Sequence, residues 1–461
     1  MRWHVRISSA VMSAVLFSGV ASAHGVGGTR FDAPLPLSLL FVGAGATVGL
    51  TAVWLGATGT RLDGVRARRL ASLSPKTATV LRGVARVAFL VAFVWVLYAG
   101  LFGKQVRAEN FATVFVWPVW IRGVGLVAVL FGSPWRVLSP WLTVYDGLAW
   151  LEGTDVSLVG AYPSRLGEWP ALFGFVAGIG IVENLTVIPR SPRLTATVVA
   201  AYALVMVAGG LCFGREWFRR ADALDVLYGL FGRVAPVAAT RNADGGIQFE
   251  LRAPWHGTID GVSDLSVTAF VVATVYTVSF DGFTSTSEYQ TILFDVREAL
   301  GVGPVVSVGL YAVGFVGFLV AFALVAATTD RLVGNSESWR TTACAFAPTV
   351  LPIAVVYELA HNYPYVLRNA GQLAAVLGPY LGSATDAIEP LWWLSLPAFW
   401  WSQILLIVGG HVVAVVASHE VARRRYATRS LARRAHFPLT ALMIGYTVLS
   451  LWIVSRPVVA G

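Results

Sequence analysis

Long apolar runs separated by short polar segments recur along the whole chain. Ten of these runs approach or reach the roughly 20 residues that a helix needs to cross the hydrocarbon core of a bilayer. The pattern therefore predicts an all-α fold, a polytopic transmembrane helical bundle. Its predicted spans cover residues 36–57, 84–103, 111–132, 171–188, 194–213, 265–283, 305–326, 343–361, 396–417 and 437–454.

The first 23 residues have the pattern of a secretory signal peptide. Arg2 and Arg6 precede an apolar stretch over residues 7–20, and the small residues Ala21, Ser22 and Ala23 follow it. That stretch is shorter than a spanning helix needs, although an uncleaved first anchor is the alternative. Cleavage after residue 23 would leave His24 as the mature amino terminus, with residues 24–461 forming one transmembrane domain.

Basic residues indicate how the bundle is oriented. Most arginines and lysines fall in loops on one predicted side, for example in the run Arg423, Arg424 and Arg425. Cytoplasmic loops are enriched in these residues, so both mature termini are predicted to lie outside the plasma membrane. Tryptophans at the start of the ninth span are expected to form an outer interfacial belt; they are Trp392, Trp393, Trp400 and Trp401.

Composition narrows the function classes. Hydrophobic residues make up 56% of the chain and charged residues 13%, which excludes an ordinary soluble domain. The formal net charge of +9 could suggest nucleic acid, but the basic residues lie in short clusters between apolar spans, as topology signals do. We expect the lipid bilayer as a partner and no nucleic acid, and no motif indicates ATP or a particular protein partner.

The longest inner loop covers residues 214–264 and is too small for a separate domain. Its stretch GIQFELRAPWHG alternates apolar and polar residues after the turn-like RNADGG, which predicts a short hairpin. His256 is expected to be solvated there. Cys212 and Cys344 lie inside apolar runs, so they are expected to be packing residues and not a disulfide.

Acidic and imidazole side chains gather at one predicted depth, near the outer surface. Counting about 1.5 Å per helical residue places Glu183, Asp281, Glu358 and His361 at similar levels, and the mature His24 arrives on the same side. Glu358 and His361 are three residues apart and share a helix face. These five residues are predicted metal ligands for zinc, manganese or iron; copper also fits, because the amino group of His24 can chelate together with its ring.

Simpler roles remain open for each of these residues. Glu358 and His361 would contact headgroups and water if the chain left the membrane at Pro364, and Asp281 would cap a helix end or bind the short DGF turn. Glu183 would form a hydrogen bond between helices or an ion pair with Arg190.

A second polar set extends deeper toward the cytoplasm. Arg122 lies near the middle of the third span, while Gln403, His411 and His419 lie on the ninth. Together they would form a polar path across the membrane, which favours transport. The alternatives are a bond from His411 to a neighbouring helix backbone and a position at the membrane interface for His419.

Several short landmarks resemble a polytopic bacterial and archaeal membrane protein family whose members are often named fenitrothion hydrolase. They are SAHGVGG followed by PLPLSLLFVGAGATVGLTAVWL, then SFDGFTST, ELAHNYPYVLRNAGQ and GGHVVAVVASHE. The resemblance implies hydrolysis of an organophosphate ester. The family segment is expected to read HLAH where this chain reads ELAH, so Glu358 would replace an imidazole.

Three functions are compatible with these observations. In a metal-dependent hydrolase, His24, Glu358 and His361 would hold an ion that lowers the pKa of bound water toward about 7, with Glu358 as the catalytic residue. In an ion-coupled or metal transporter, the outer acids would lead to Arg122 and His411 and carry a small molecule or ion. In a metal-delivery subunit, His24 would bind the metal.

Overall fold

The computed structural model describes residues 36–59, 67–334, 338–382 and 386–456. The predicted signal peptide and His24 lie outside these residues. The helices are α1 (Leu37–Thr58), α2 (Pro75–Phe102), α3 (Phe111–Phe131), α4 (Trp135–Leu138), α5 (Pro140–Glu152), α6 (Trp169–Glu183), α7 (Pro192–Phe213), α8 (Arg215–Arg220), α9 (Ala223–Val234), α10 (Leu265–Thr284), α11 (Ser287–Leu300), α12 (Val305–Val333), α13 (Trp339–Tyr380), α14 (Leu396–Arg425) and α15 (Arg429–Val454). The strands are β1 (Arg68–Leu73), β2 (Val237–Arg241) and β3 (Ile247–Leu251).

The described part of the chain is a bundle of apolar helices. Nine of its helices are long and apolar enough to cross a membrane, and they are α1, α2, α3, α7, α10, α12, α13, α14 and α15. Their outward faces carry many exposed large apolar side chains, such as Val53 and Phe102. Side chains of this kind would be costly in water and suit a lipid surrounding, so the predicted class of membrane-spanning helical protein is confirmed.

Several helices begin with the same local signal. Ser74, Ser139 and Ser191 each precede a proline that is the first helical residue, and each serine side chain accepts a hydrogen bond from a backbone N–H of the first turn. Serine satisfies a donor that the helix leaves unpaired, and proline loses nothing at a position where its missing N–H is not needed. These Ser-Pro pairs therefore fix where α2, α5 and α7 start.

The fourth predicted span is not a full helix. Helix α6 ends at Glu183, short of the predicted residue 188, and is too short to cross a bilayer by itself. An irregular stretch and a single 3₁₀ turn, Ile188–Arg190, connect it to α7. The prediction of a continuous span over residues 171–188 was wrong because apolar composition does not reveal where the helix unwinds.

The eighth predicted span is longer than the sequence pattern indicated. Helix α13 continues past His361 to Tyr380, with Pro364 inside it. A 3₁₀ turn, Ala347–Val350, interrupts its first half. The chain therefore does not leave the bundle at Pro364, and Glu358 lies in the middle of a packed helix with its side chain 3% exposed.

The predicted hairpin in the longest loop is confirmed. Strands β2 and β3 pair antiparallel from Val237 opposite Leu251 to Arg241 opposite Ile247, and Gly245 adopts a positive φ of 90° in the turn. Strand β1, from the loop after α1, adds to the other edge of β3 and gives the order β1-β3-β2. The residues of β1 are mostly exposed, and their sequence does not alternate between apolar and polar positions. His256 is exposed, as predicted.

Contacts between helix termini define two ends of the bundle. At the end that carries the sheet, Arg429 at the start of α15 lies beside Gly59 after α1, and Arg424 of α14 lies 3.9 Å from Asp260 before α10. At the opposite end, Arg456 after α15 pairs with Glu288 of α11 at 3.0 Å. We call these the sheet end and the opposite end.

The segment that contains α6 reaches from one end to the other. At the sheet end, the backbone N–H of Glu168 donates to Ser266 of α10 at 2.8 Å. At the opposite end, the N–H of Arg193 donates to Gln105, which follows α2, at 3.2 Å. The unwound stretch after Glu183 therefore lies partway through the bundle, where backbone groups meet other protein segments and not lipid.

Candidate functional site

A buried guanidinium lies at the centre of the described polar residues. Arg122 Nε donates to Glu183 Oε1 at 2.8 Å, and Nη1 donates to the two carboxylate oxygens of Glu358 at 3.1 and 2.9 Å. The three side chains are between 1% and 5% exposed. These bonds join α3, α6 and α13, three segments that are far apart in the sequence.

Two further side chains extend this cluster. Asp281 Oδ2 lies 3.8 Å from Arg122 Nη2 and 3.6 Å from His361 Nε2. The imidazole of His361 also stacks on the ring of Tyr357, with centroids 5.9 Å apart. Its side chain is 25% exposed, against 8% for Asp281. His361 has the most exposed side chain of this group. We call Arg122, Glu183, Asp281, Glu358 and His361 the central cluster.

Arg122 and Glu183 both lie on helical segments with unusual winding. Val116–Gly123 of α3 and Val176–Glu183 of α6 are both wound as π-helix. The π-helix is rare in proteins, and where it occurs it often belongs to a functional site. Its changed hydrogen-bond pattern moves side chains off the ordinary helical face. Arg122 lies near the end of the first π segment and Glu183 at the end of the second.

Side-chain hydrogen bonds fasten these π segments to each other's surroundings and within themselves. Tyr228 of α9 donates to the carbonyl of Ile121 at 2.8 Å. Asn184 donates to the carbonyl of Ile179 at 2.9 Å, and Trp117 donates to Thr195 of α7 at 3.0 Å. These bonds hold α3 and α6 in the positions that let Arg122 reach Glu183.

Negative charge exceeds positive charge in the central cluster. Glu183, Asp281 and Glu358 face one guanidinium, and only His361 can add a second positive charge. Uncompensated charge in a buried site costs several kcal/mol, so a group of this composition favours an additional positive charge such as a proton.

A small cavity of about 10 Å³, roughly the space of one water molecule, adjoins the cluster. Arg122 and Glu358 line it together with Thr274 and Thr277 of α10 and with Leu227 of α9. Two members of the central cluster therefore border the cavity, while a third, His361, is partly exposed.

The residues of the predicted deeper path have different partners in the structure. Arg122 belongs to the central cluster and not to a separate lower set. Gln403 donates to the carbonyl of Ala360 on α13 at 2.6 Å, which ties α14 to the helix that carries Glu358. His411 is 1% exposed, and its Nδ1 bonds the carbonyl of Ile407 at 2.7 Å, on its own helix and not on a neighbouring one.

His419 is buried inside the bundle, with 4% of its surface exposed. Its ring lies 5.5 Å from that of His436 on α15, and His436 is 5% exposed. His436 was not among the predicted site residues, because it precedes Phe437 at the edge of an apolar run and has no partner nearby in the sequence. Only the packing of α14 against α15 brings the two imidazoles together.

Two other buried polar residues were also missed. Asn362 is fully buried, and within the described residues neither of its amide atoms has a hydrogen-bond partner. Asp222 accepts hydrogen bonds from Trp135, Trp141 and Tyr202 at 2.9, 2.6 and 3.0 Å. Asp222 also caps α9, a role that its position before an apolar helix could have indicated.

The predicted metal ligands can be compared with this geometry. Among the described residues, no group of three or more His, Cys, Asp or Glu side chains is arranged to hold a metal ion. Glu183 and Glu358 direct carboxylate oxygens at Arg122, which supplies positive charge where a divalent ion would otherwise do so. His24 lies outside the described residues, so its part in a site stays a prediction.

The fold and the cluster together define a polytopic helical membrane protein with a buried, charged centre. Comparisons of the chain with protein-family models, curated proteins and solved structures found no match. The residues of the site are therefore the basis for assigning a function.

Proposed function

We propose that the protein is an ion-coupled transporter for a small molecule or ion, in which the central cluster binds the coupling proton. The observation that carries this proposal is the group of three buried carboxylates around Arg122. Such a group is costly to bury unless it binds positive charge, and a proton that enters and leaves it would couple to any rearrangement of the surrounding helices.

The arrangement of the helices supports the same proposal. Helix α6 stops partway through the bundle at Glu183, and discontinuous helices are a common way to build substrate and ion sites near the middle of a membrane. The partly exposed His361 and the small cavity beside Arg122 are two positions at which a proton would reach the buried carboxylates.

The same proposal includes a topology. The segment from Trp169 to Pro192 would act as a tenth, discontinuous crossing, which gives an even number of crossings. The sheet end carries Arg423, Arg424 and Arg425, so we place it in the cytoplasm and both mature termini outside the plasma membrane.

Replacement of Glu358 by Gln tests the proposal. The change removes one negative charge while keeping the shape of the side chain, so the cluster loses its need for a bound proton. We expect infrared titration of the purified full chain to show a buried carboxylic acid band that E358Q lacks. In liposomes with an entrapped pH dye and an imposed membrane potential, we expect proton flux to fall at least about tenfold.

The matched control is Glu152→Gln, at the exposed end of α5, which should leave both signals unchanged. The proposal is wrong if the wild-type protein shows no protonated buried carboxyl group, or if E358Q retains both the band and the flux.

Metal-dependent hydrolysis, implied by the resemblance, and metal delivery through His24 stay predictions. Both require a bound zinc, copper, manganese or iron ion. The metal content of the purified full chain, compared with that of a His24→Ala variant, is the measurement that tests them.

A further inference from the structure

A cleft of about 700 Å³ opens at the sheet end of the bundle. Three helices that are long enough to span the membrane have one terminus beside the cleft. The start of α10, the first turn of α13 and the last turn of α14 all line it. The loop that precedes α10 forms the remaining wall. The cleft therefore lies where membrane-spanning segments end, which is the level of lipid headgroups.

Arginines dominate the charge of the cleft. Arg340 of α13 and Arg424 and Arg425 of α14 line it, against the carboxylates of Asp260 and Asp264. Asp264 is engaged as the cap of α10, since its Oδ1 accepts the N–H groups of Ser266 and Val267 at 2.7 and 3.3 Å.

The three arginines exceed the two carboxylates by one charge, and Asp260 is only weakly paired. Its side chain is 79% exposed, and its Oδ1 lies 3.9 Å from Arg424 Nη1, at the limit of an ion pair. Exposed pairs of this kind contribute little free energy. The cleft thus presents a surplus of guanidinium groups to a ligand.

The walls of the cleft are partly apolar. Ile259, Val262, Leu265 and Val421 lie between the charged groups. Trp339, at the start of α13, is 37% exposed and carries the guanidinium of Arg340 5.8 Å above its ring. Tryptophan and arginine at the end of a span are typical of the membrane interface, and a helix start adds positive potential. A ligand with an anionic head and an apolar body fits both features.

The wall that precedes α10 is fixed in place. The N–H of Val262 donates to the carbonyl of Cys344 on α13 at 3.0 Å. Arg233 of α9 donates to the carbonyl of Gly257 at 2.7 Å and also to that of Asp260. The cleft is therefore formed without a ligand, which lowers the entropy lost on binding.

We propose that this cleft binds the headgroup of an anionic phospholipid, with Arg340 and Arg424 on the phosphate. The phosphate would receive planar, charge-assisted hydrogen bonds from the guanidinium groups, and the glycerol region would contact the apolar wall. This site is separate from the central cluster, and it does not depend on the proposed transport function.

Binding of phosphatidylglycerol to the purified full chain tests the proposal. Native mass spectrometry and thermal unfolding in a non-ionic detergent would compare phosphatidylglycerol, phosphatidylcholine and inorganic phosphate. In the wild-type protein we expect phosphatidylglycerol alone to bind and to raise Tm. The R340Q/R424Q variant should bind it roughly 25-fold more weakly, from about fivefold for each arginine.

The matched control is R68Q/R69Q, which removes two exposed arginines of β1 at the same end of the bundle. It should bind phosphatidylglycerol like the wild-type protein. If the double variant of the cleft does not fold, R424Q alone, at a side chain 45% exposed, should weaken binding about fivefold.

Three outcomes would overturn the proposal. Equal binding by R340Q/R424Q and the wild-type protein would remove the cleft from lipid binding. Equal weakening in both double variants would show general surface attraction. An equal rise in Tm with inorganic phosphate would assign the cleft to a free phosphate and not to a lipid.

Discussion

Arg122 is almost fully buried beside three carboxylates. It gives hydrogen bonds to two carboxylates on different helices, and a third carboxylate lies within 3.8 Å. Within the described residues its Nη2 atom has no hydrogen-bond partner, which leaves two N–H donors for a water or a ligand. Since the surrounding side chains are almost fully buried, the guanidinium and the carboxylates stabilise one another's charge.

Replacement of Arg122 by Gln should be strongly destabilising. The variant leaves buried carboxylates without their cation, and the loss of one partner of a buried pair typically costs about 3–5 kcal/mol. The measurement is the free energy of unfolding of the purified protein in detergent. An R122Q/E358Q variant should recover part of the loss, because it removes one of the stranded charges.

The control is Arg86→Gln, which breaks a partly exposed pair with Asp146 of α5 at 2.8 Å. That change should cost no more than about 1 kcal/mol. If R122Q were as mild as R86Q, the central cluster would have to be well hydrated, and the argument from buried charge would fail.

At the scale of elements, close packing of α13 against α14 positions Glu358. Gly410 of α14 lies against α13, where an added Cβ would come within 2.8 Å of the carbonyl oxygen of Pro352 and would also meet Val356. Small residues let two membrane helices approach closely. The bond from Gln403 to the Ala360 carbonyl then holds the same pair of helices two residues beyond Glu358.

Gly410→Ala should therefore separate α13 from α14. We expect a loss of about 1–3 kcal/mol in unfolding free energy, because a backbone carbonyl cannot move aside as a flexible side chain can. Gly409→Ala is the matched control, since no atom lies within 4 Å of its added Cβ and the change in helix propensity is the same. Equal stability of the two variants would contradict the close contact.

At the scale of the whole molecule, the bundle has two chemically different ends. One end carries the three-stranded sheet, the arginine-rich end of α14 and the proposed lipid cleft. The other carries α11 and the start of α14, where Trp392 and Trp393 are 83% and 63% exposed, as an interfacial belt would be. Trp400 does not fit that prediction, because it is only 8% exposed and packs on Phe399.

Labelling of single cysteines tests the proposed orientation. In a background with Cys212 and Cys344 replaced by Ala, Asp244→Cys places a thiol in the β2–β3 turn, and Glu298→Cys places one on α11. A membrane-impermeant maleimide should label the α11 position in intact cells and the turn position only after lysis. The reverse pattern would invert the topology, and labelling of both positions in intact cells would contradict the two-ended arrangement.

The sequence alone determined that this is a helical membrane protein. Apolar runs of spanning length can only be accommodated as helices in lipid, where each backbone group must be satisfied within its own segment. The sequence also marked Glu183, Asp281, Glu358 and His361 as unusual, because acids and imidazoles are costly in such runs. The hairpin followed from local alternation and a glycine turn.

Only the tertiary structure decided what those residues contact. Counting along ideal helices placed Arg122 below the acids, but π winding in α3 and α6 and the reach of a long side chain bring its guanidinium among them. The end of α6 at Glu183, the pairing of His419 with His436 and the extension of α13 past Pro364 also depend on neighbouring helices. Composition and spacing along one segment carry no information about the partner that another segment supplies.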